Sequence, residues 1–310
     1  MEMQAIYHAK QVFLEEKHKD RFNVGILMMI IATICFSIMM VIVKYLRHLP
    51  LMEIILFRNI PIIIVVPIIL KNKGIFFYGH NRSLLLLGSL FNTFSVIAYF
   101  YTITVMTLTS AVSIKQLSPF FILILASIFL GEKINNKKII IFIIAFLGAI
   151  LIAKPGFCLV IYPTIIGLLG AVLTGLSHIS VRRLRLTDHP LVIINYIGFT
   201  EGLIAFVILF WQGNFYIPDI LCLLILLLMG LVSFIAQFTF TKAYQLAPAK
   251  LVSLYLYLQI IFGTFFGILF FKEYPDIFSM FGVLLIIVCG YLNFRYTKEE
   301  GNNKIEKQSI

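Results

Sequence analysis

The sequence is poor in charged residues. Only 13% of its 310 residues are Asp, Glu, Lys or Arg, whereas 61% are hydrophobic and the mean hydropathy is +1.01. Soluble domains carry about 25% charged residues, so this composition excludes a soluble protein. Apolar stretches close to the ~20 residues that cross a bilayer follow one another from Val24 onward, which predicts an all-α integral membrane protein.

Motifs for catalysis and for cofactor binding are also missing. The sequence has no Walker A loop, no Rossmann glycine fingerprint and no HExxH motif. Its four cysteines, Cys35, Cys158, Cys222 and Cys289, stand singly without CxxC spacing and are interpreted as small hydrophobic side chains. We therefore predict that the protein is not an enzyme and has no catalytic residues, no metal site and no cofactor.

The apolar stretches form ten predicted membrane spans. They are residues 24–46, 53–70, 83–105, 109–129, 138–153, 162–181, 190–210, 219–241, 247–270 and 276–294. Residues 1–22 are polar and mixed in charge, so they are predicted to be a cytoplasmic tail before a retained helix and not a signal peptide. Residues 297–310 are predicted to form a second cytoplasmic tail.

Lysine and arginine are distributed unequally between the two sides of the predicted spans. Nineteen of the 25 lie in the two tails, at Arg295 beside the second tail, and in the connections at 71–82, 133–138, 182–185 and 242–250. Lys44, Arg47, Lys154 and Lys272 lie on the opposite side. The positive-inside rule therefore places both termini in the cytoplasm, and the net charge of +11 indicates topology, not nucleic-acid binding.

The chain contains an internal repeat. Residues 98–132 recur in looser form at 239–273, so that Glu132 aligns with Glu273 and Pro119 with Ile260. Each half holds five spans, an odd number, so the second half must enter the membrane from the opposite side. This pattern predicts two inverted five-helix repeats, 24–153 and 162–296, with a binding site near the midplane where they meet.

Small residues at i, i+4 spacing predict close helix packing. They are Gly167, Ala171 and Gly175 in the sixth span, Gly198 and Gly202 in the seventh, and Gly263 and Gly267 in the ninth. The spacing does not distinguish contacts within the chain from contacts with a second copy. Monomer and homodimer both stay open, with membrane lipid around either.

Lys115 is a candidate substrate-binding residue. It lies inside the fourth span, four residues before Pro119, and a charge at that depth normally faces a cavity or a partner. Proline lacks an N–H, so the Lys115 carbonyl is expected to lose its helical donor. A snorkelling Lys115 that reaches the outer interface is the alternative.

Other polar groups surround Lys115 in the sequence or in its repeat. Gln116 follows it directly, and the corresponding part of the ninth span carries Tyr255, Tyr257 and Gln259. These side chains are predicted either to hold an amphipathic organic molecule or to make interhelical hydrogen bonds.

Two further charges lie within spans. Glu201 lies near the middle of the seventh span and is a candidate for proton coupling or for pairing with a cationic substrate. Arg58 in the second span is a candidate for binding a carboxylate or phosphate. The alternative for Glu201 is a structural pair with Arg58 or Lys115. Asn59 and Asn92 are predicted to form hydrogen bonds between helices.

The two five-span copies, with the Ser118–Glu132 sequence SPFFILILASIFLGE closing the first, resemble the EamA branch of the drug/metabolite transporter superfamily. The resemblance implies a ten-helix basket whose cavity is lined by the first four spans of each half. It implies that Lys115, Gln116, Tyr255 and Tyr257 lie near that cavity. Substrates in the family include amino acids, other metabolites and, in bacteria inside host cells, S-adenosylmethionine.

The leading hypothesis is a secondary transporter of the inner membrane that moves a small polar or zwitterionic metabolite by alternating access. Lys115 and Glu201 would be the opposed charges that hold the substrate. Uptake of S-adenosylmethionine in a host-associated bacterium is the first alternative. A non-transporting membrane interaction or scaffold protein is the second, and a membrane-embedded enzyme acting on lipid is the third.

Overall fold

A computed structural model describes residues 2–130, 136–153, 158–184, 187–213, 218–246 and 253–306. Within these ranges the secondary structure is entirely helical. Glu132 and Lys154, which entered the sequence predictions, lie outside the described residues. The prediction of an all-helical protein is confirmed for the described part of the chain.

The described residues form eleven α-helices and one 3₁₀ helix, in this order. They are α1 (Glu2–Tyr45), α2 (Leu51–Asn72), α3 (Arg82–Val105), α4 (Leu108–Lys115), α5 (Ser118–Leu130), α6 (Asn136–Ala153), α7 (Cys158–Leu184), α8 (Pro190–Gln212), α9 (Ile220–Leu246), the 3₁₀ helix η1 (Ser253–Tyr257), α10 (Leu258–Phe271) and α11 (Ile277–Glu306). Helices α1 and α11 continue into the segments predicted as polar tails.

Among the described residues, eight helical segments are long and apolar enough to cross a membrane. They are Asn23–Tyr45, Leu51–Asn72, Arg82–Val105, Leu108–Phe129, Ile161–Val181, Pro190–Gln212, Ile220–Ala243 and Ile277–Tyr296. Ile139–Ile152 and Tyr255–Phe271 are shorter apolar helices that correspond to the fifth and ninth predicted spans. The protein is therefore a multi-pass membrane protein, and its many exposed Phe, Leu and Ile side chains suit a lipid environment.

The helix contacts repeat when the first and second halves of the chain are exchanged. Helix α1 packs on α9, and α3 packs on α7. Helix α2 packs on α8 and α6 on α11, so that equivalent helices of the two halves meet. The buried hydrophobic core accordingly draws residues from both halves, for example Leu46 and Phe120 with Ile260 and Ile286.

Glycines allow α8 to lie close to α2. A Cβ atom at Gly198 would stand 2.5 Å from Ile62 Cγ2, and one at Gly202 would stand 2.7 Å from Ile63 Cδ1. The other small-residue motifs also face partners within this chain, since Gly175 meets Phe121 and Leu125 of α5. The close contacts predicted from glycine spacing thus occur within the chain at these positions.

Both halves depart from regular α-helical geometry at the same point: a two-residue turn in the first half, and in the second a 3₁₀ helix that runs directly into an α-helix. Helix α4 ends at Lys115 and α5 begins at Ser118, just before Pro119. With the 141-residue offset of the repeat, the interruption at residues 116–117 corresponds to residues 257–258, where η1 gives way to α10. The second interruption forms although Ile260 stands in the place of the proline.

Candidate functional site

A fully buried carboxylate lies between the two halves of the protein. Glu201 in α8 has no solvent exposure. Its Oε2 accepts hydrogen bonds from Arg58 Nη1 at 2.8 Å and from Asn59 Nδ2 at 2.9 Å, both from α2. Its Oε1 accepts a hydrogen bond from Asn92 Nδ2 of α3 at 2.6 Å. Three donors from the first half therefore hold one carboxylate of the second half.

The glycines on either side of Glu201 explain why its carboxylate reaches the donors of α2. Gly198 and Gly202 let the α8 backbone approach α2 closely enough for a short acidic side chain to reach Arg58. Arg58 also donates from Nε to Ser233 Oγ of α9 at 3.1 Å. A buried charge needs both a counter-ion and hydrogen bonds, and Arg58 and Glu201 give each other both.

The Lys115 side chain lies against aromatic rings. Its ammonium nitrogen is 3.9 Å from the centroid of the Tyr99 ring and 5.9 Å from that of Phe36. No carboxylate or hydrogen-bond acceptor among the described residues contacts this ammonium. Arg58 and Glu201 are nevertheless close enough to act on it electrostatically.

The described central charges do not balance. Two basic side chains, Arg58 and Lys115, lie near one acidic side chain, Glu201, which already pairs with Arg58. Lys115 is partly exposed, although its neighbours Ile114 and Gln116 are buried. Lys115 is thus a basic group at the centre with no carboxylate partner among the described residues.

The two interrupted helices are joined by a pair of amides. Gln116 Nε2 donates to the Leu256 carbonyl at 2.7 Å and to Gln259 Oε1 at 3.1 Å. A 3₁₀ turn such as η1 has a different hydrogen-bond pattern from the α-helix that follows it. Gln116 thus binds the carbonyl of one interrupted helix from the end of the other.

The two tyrosines predicted as site residues lie in different surroundings. Tyr255 is partly buried and packs against the small cluster formed by Met29, Ala32 and Ala243. The ring of Tyr257 lies against Gly290 of α11, where any side chain larger than hydrogen would meet it. The structure therefore brings Gln116 and Gln259 together, and directs the ring of Tyr257 towards α11.

One ion pair was missed by the sequence reasoning. Lys44, interpreted above as an outer-side cation, is buried at the end of α1 and pairs with Glu273 after α10. Lys44 Nζ also donates to the Met106 carbonyl at 2.6 Å, and Glu273 Oε2 accepts from the Leu108 N–H at 2.9 Å. The recurrence of Glu132 as Glu273 was the signal in the sequence that could have drawn attention to this carboxylate.

The described residues contain no group of three or more His, Cys, Asp or Glu side chains arranged to hold a metal ion. The side chains that meet at the centre are instead two cations, a carboxylate, amides and aromatic rings. Such a set is able to bind polar organic molecules by ion pairs, hydrogen bonds and cation–π contacts.

Comparisons with known proteins agree with this description. The EamA-like transporter family model matches residues 23–154 and 162–295. The chain is 30% identical over 274 residues to the pseudopaline exporter CntI of Pseudomonas aeruginosa, covering 87% of this chain and 95% of that protein. It is 26% identical over 278 residues to an uncharacterized transporter of Helicobacter pylori, covering 86% of this chain and 93% of that protein.

A solved crystal structure of a protein that is 13% identical has a TM-score of 0.64, covering 91% of this chain and 98% of that chain. At this identity the match supports the fold alone. Fold and relatives together define the class as a multi-pass membrane transporter. The chain belongs to the EamA-like transporter family, so the resemblance drawn from its two copies is confirmed.

Proposed function

We propose that the protein is a secondary transporter that moves a small polar or zwitterionic metabolite, resembling an amino acid, across the inner membrane by alternating access. The observation that carries this proposal is the unbalanced positive charge of Lys115 beside the Arg58–Glu201 pair. An ammonium group inside a membrane span, with no anionic partner among the described residues, is explained if a substrate carboxylate binds it.

The proposed architecture is ten spans in two inverted repeats with both termini in the cytoplasm. Ile139–Ile152 and Tyr255–Phe271 would complete the eight longer spans. Support comes from helix contacts that recur when the halves are exchanged, and from interruptions at equivalent points of the two repeats. Interrupted helices at a repeat interface are typical of secondary transporters, where they line the substrate path.

In this proposal Lys115 binds the substrate carboxylate, and Gln116 and Gln259 offer amide groups at the same level. Glu201 is the group that exchanges partners: a proton or a substrate amino group competes with Arg58 for its carboxylate. The relative named as an exporter supports outward movement as the direction.

The test is transport by the purified protein in liposomes, with Lys115→Ala compared against the parent. Loss of a charge-assisted contact of about 1.5–3 kcal/mol should lower the flux of a transported zwitterion about ten- to a hundredfold. Lys71→Ala, at an exposed position at the end of α2, removes the same charge away from the site and should leave the flux unchanged. Undiminished flux in a folded Lys115→Ala protein would overturn the role of Lys115.

A further inference from the structure

The rings that hold Lys115 are fixed before any substrate arrives. Tyr99 is buried, and its hydroxyl donates to the sulfur of Met40. Phe36 meets Phe240 edge to face, with ring centroids 6.0 Å apart. Because both rings are braced by neighbours in the first and second halves, their faces form a stable binding surface for a positive charge.

The ammonium that occupies this surface has poor hydrogen bonding there. A lysine ammonium carries three donors and is strongly hydrated, whereas an aromatic face supplies attraction to charge but no conventional acceptor. Within the described part of the chain, the Lys115 ammonium lies over these two rings and makes no hydrogen bond or ion pair. The surface is better suited to a cation that has no N–H donors to satisfy.

We propose that the faces of Tyr99 and Phe36 form a binding site for a quaternary ammonium group, and that the substrate class is betaine-like zwitterions. This inference rests on the proposed function. The substrate carboxylate pairs with the Lys115 ammonium and draws the flexible side chain off the rings. The substrate trimethylammonium group then takes the place of Lys115 over Tyr99.

Charge considerations favour this exchange. Glu201 already accepts hydrogen bonds from Arg58, Asn59 and Asn92, and a quaternary ammonium group has no N–H with which to replace these donors. A betaine brings one negative and one positive charge and leaves the net charge of the site unchanged. The Lys115 side chain leaves the rings when it binds the carboxylate, and the rings are then free to bind the cation. Binding of the carboxylate and binding of the cation are therefore coupled.

The test compares two ligands of equal shape. Glycine betaine and 3,3-dimethylbutanoate share a carboxylate and three methyl groups, but only the betaine carries a positive charge. Binding of each to the purified full-length protein is measured by calorimetry. A desolvated cation–π contact should give the betaine about a 5- to 30-fold advantage in affinity over its neutral-headed isostere.

Variants of the two aromatic residues test whether the higher affinity for the betaine comes from the ring faces. Tyr99→Leu should reduce the ratio of the two affinities to near one, whereas Tyr99→Phe should keep it because the ring face remains. Thermal unfolding of each variant is measured in parallel to show that it is folded. Phe36→Leu is a second ring variant, which keeps the test usable if Tyr99→Leu does not fold.

Equal affinities in the parent, absence of betaine binding, or an advantage that survives both leucine variants would overturn this inference. If the proposed function itself is wrong, the result is different: no amino-acid flux would depend on Lys115. A Lys115-dependent flux of amino acids without betaine binding would leave the proposed function standing.

Discussion

Glu201 and Arg58 illustrate which residue-level features are visible in a sequence. Charges deep inside apolar spans stand out, and both residues, with Lys115, were selected on that ground. Their pairing was left open, because it depends on how each helix is rotated about its axis. The structure pairs Glu201 with Arg58 and leaves Lys115 on aromatic rings, so Lys115 and Glu201 do not contact each other directly.

Lys44 shows a second limit at this scale. It falls at the end of the first predicted span, where a lysine ordinarily reaches the membrane surface. Its partner Glu273 lies 229 residues away in the sequence. No local pattern connects two residues so far apart, so the buried pair emerged only from the packing of α1 against α10.

At residue scale we predict the effect of Glu201→Gln on transport. Glutamine has nearly the same shape and keeps one acceptor oxygen, enough for either the Arg58 and Asn59 donors or the Asn92 donor, but it does not titrate. If Glu201 carries the coupling proton, flux into liposomes depends on pH in the parent and becomes independent of pH in the variant. Asp219→Asn, an exposed carboxylate before α9, serves as the control and should behave like the parent. A pH dependence that persists in Glu201→Gln would contradict the role in coupling.

At the scale of elements, the interruption between α4 and α5 was predictable and the one before α10 was not. Pro119 removes a backbone donor, so the sequence alone indicates where the first helix breaks. In the second copy Ile260 gives no such signal. There the contacts come from elsewhere in the fold: the Gln116 amide binds the Leu256 carbonyl, and the Tyr257 ring packs against Gly290.

The loop before α3 is hydrogen-bonded to one carboxylate, that of Asp188 in the loop before α8. Asp188 accepts hydrogen bonds from the backbone N–H groups of His80 at 2.5 Å and Asn81 at 3.3 Å, and from the Thr187 hydroxyl at 2.7 Å. Burial tends to raise the pKa of Asp188, but these hydrogen bonds outweigh it and hold the pKa below its ordinary value. Gly79, at φ 62°, leaves the space that Asp188 occupies.

The prediction at this scale concerns acid sensitivity. Because the folded pKa of Asp188 is depressed, its stabilising effect is complete above the ordinary aspartate pKa of about 3.9 and is lost as the pH falls below that value. Hydrogen exchange at the His80 and Asn81 amides should therefore show protection at neutral pH that weakens on acidification, beyond the intrinsic pH dependence of exchange. Asp188→Ala should lack that protection at every pH, and equal protection in variant and parent would contradict the assignment.

At the scale of the whole molecule, the internal repeat was the most informative feature of the sequence. It predicted the family, and the exchanged contacts of α1 with α9 and α3 with α7 agree with a duplicated plan. The composition predicted a membrane protein because hydrophobicity is a property of the whole chain and needs no contact information. Substrate identity is different, since it depends on a few side chains whose neighbours come from several helices.

The measurement that tests the central claim most directly is flux of a panel of labelled amino acids and betaines into liposomes containing the parent protein. Protein-free liposomes and liposomes with Lys115→Ala are measured beside it. The account predicts saturable flux of at least one zwitterion that exceeds the protein-free rate and is lost in Lys115→Ala. If a folded parent protein moves none of these compounds faster than bare lipid, the transport claim is contradicted and a membrane scaffold becomes the better explanation.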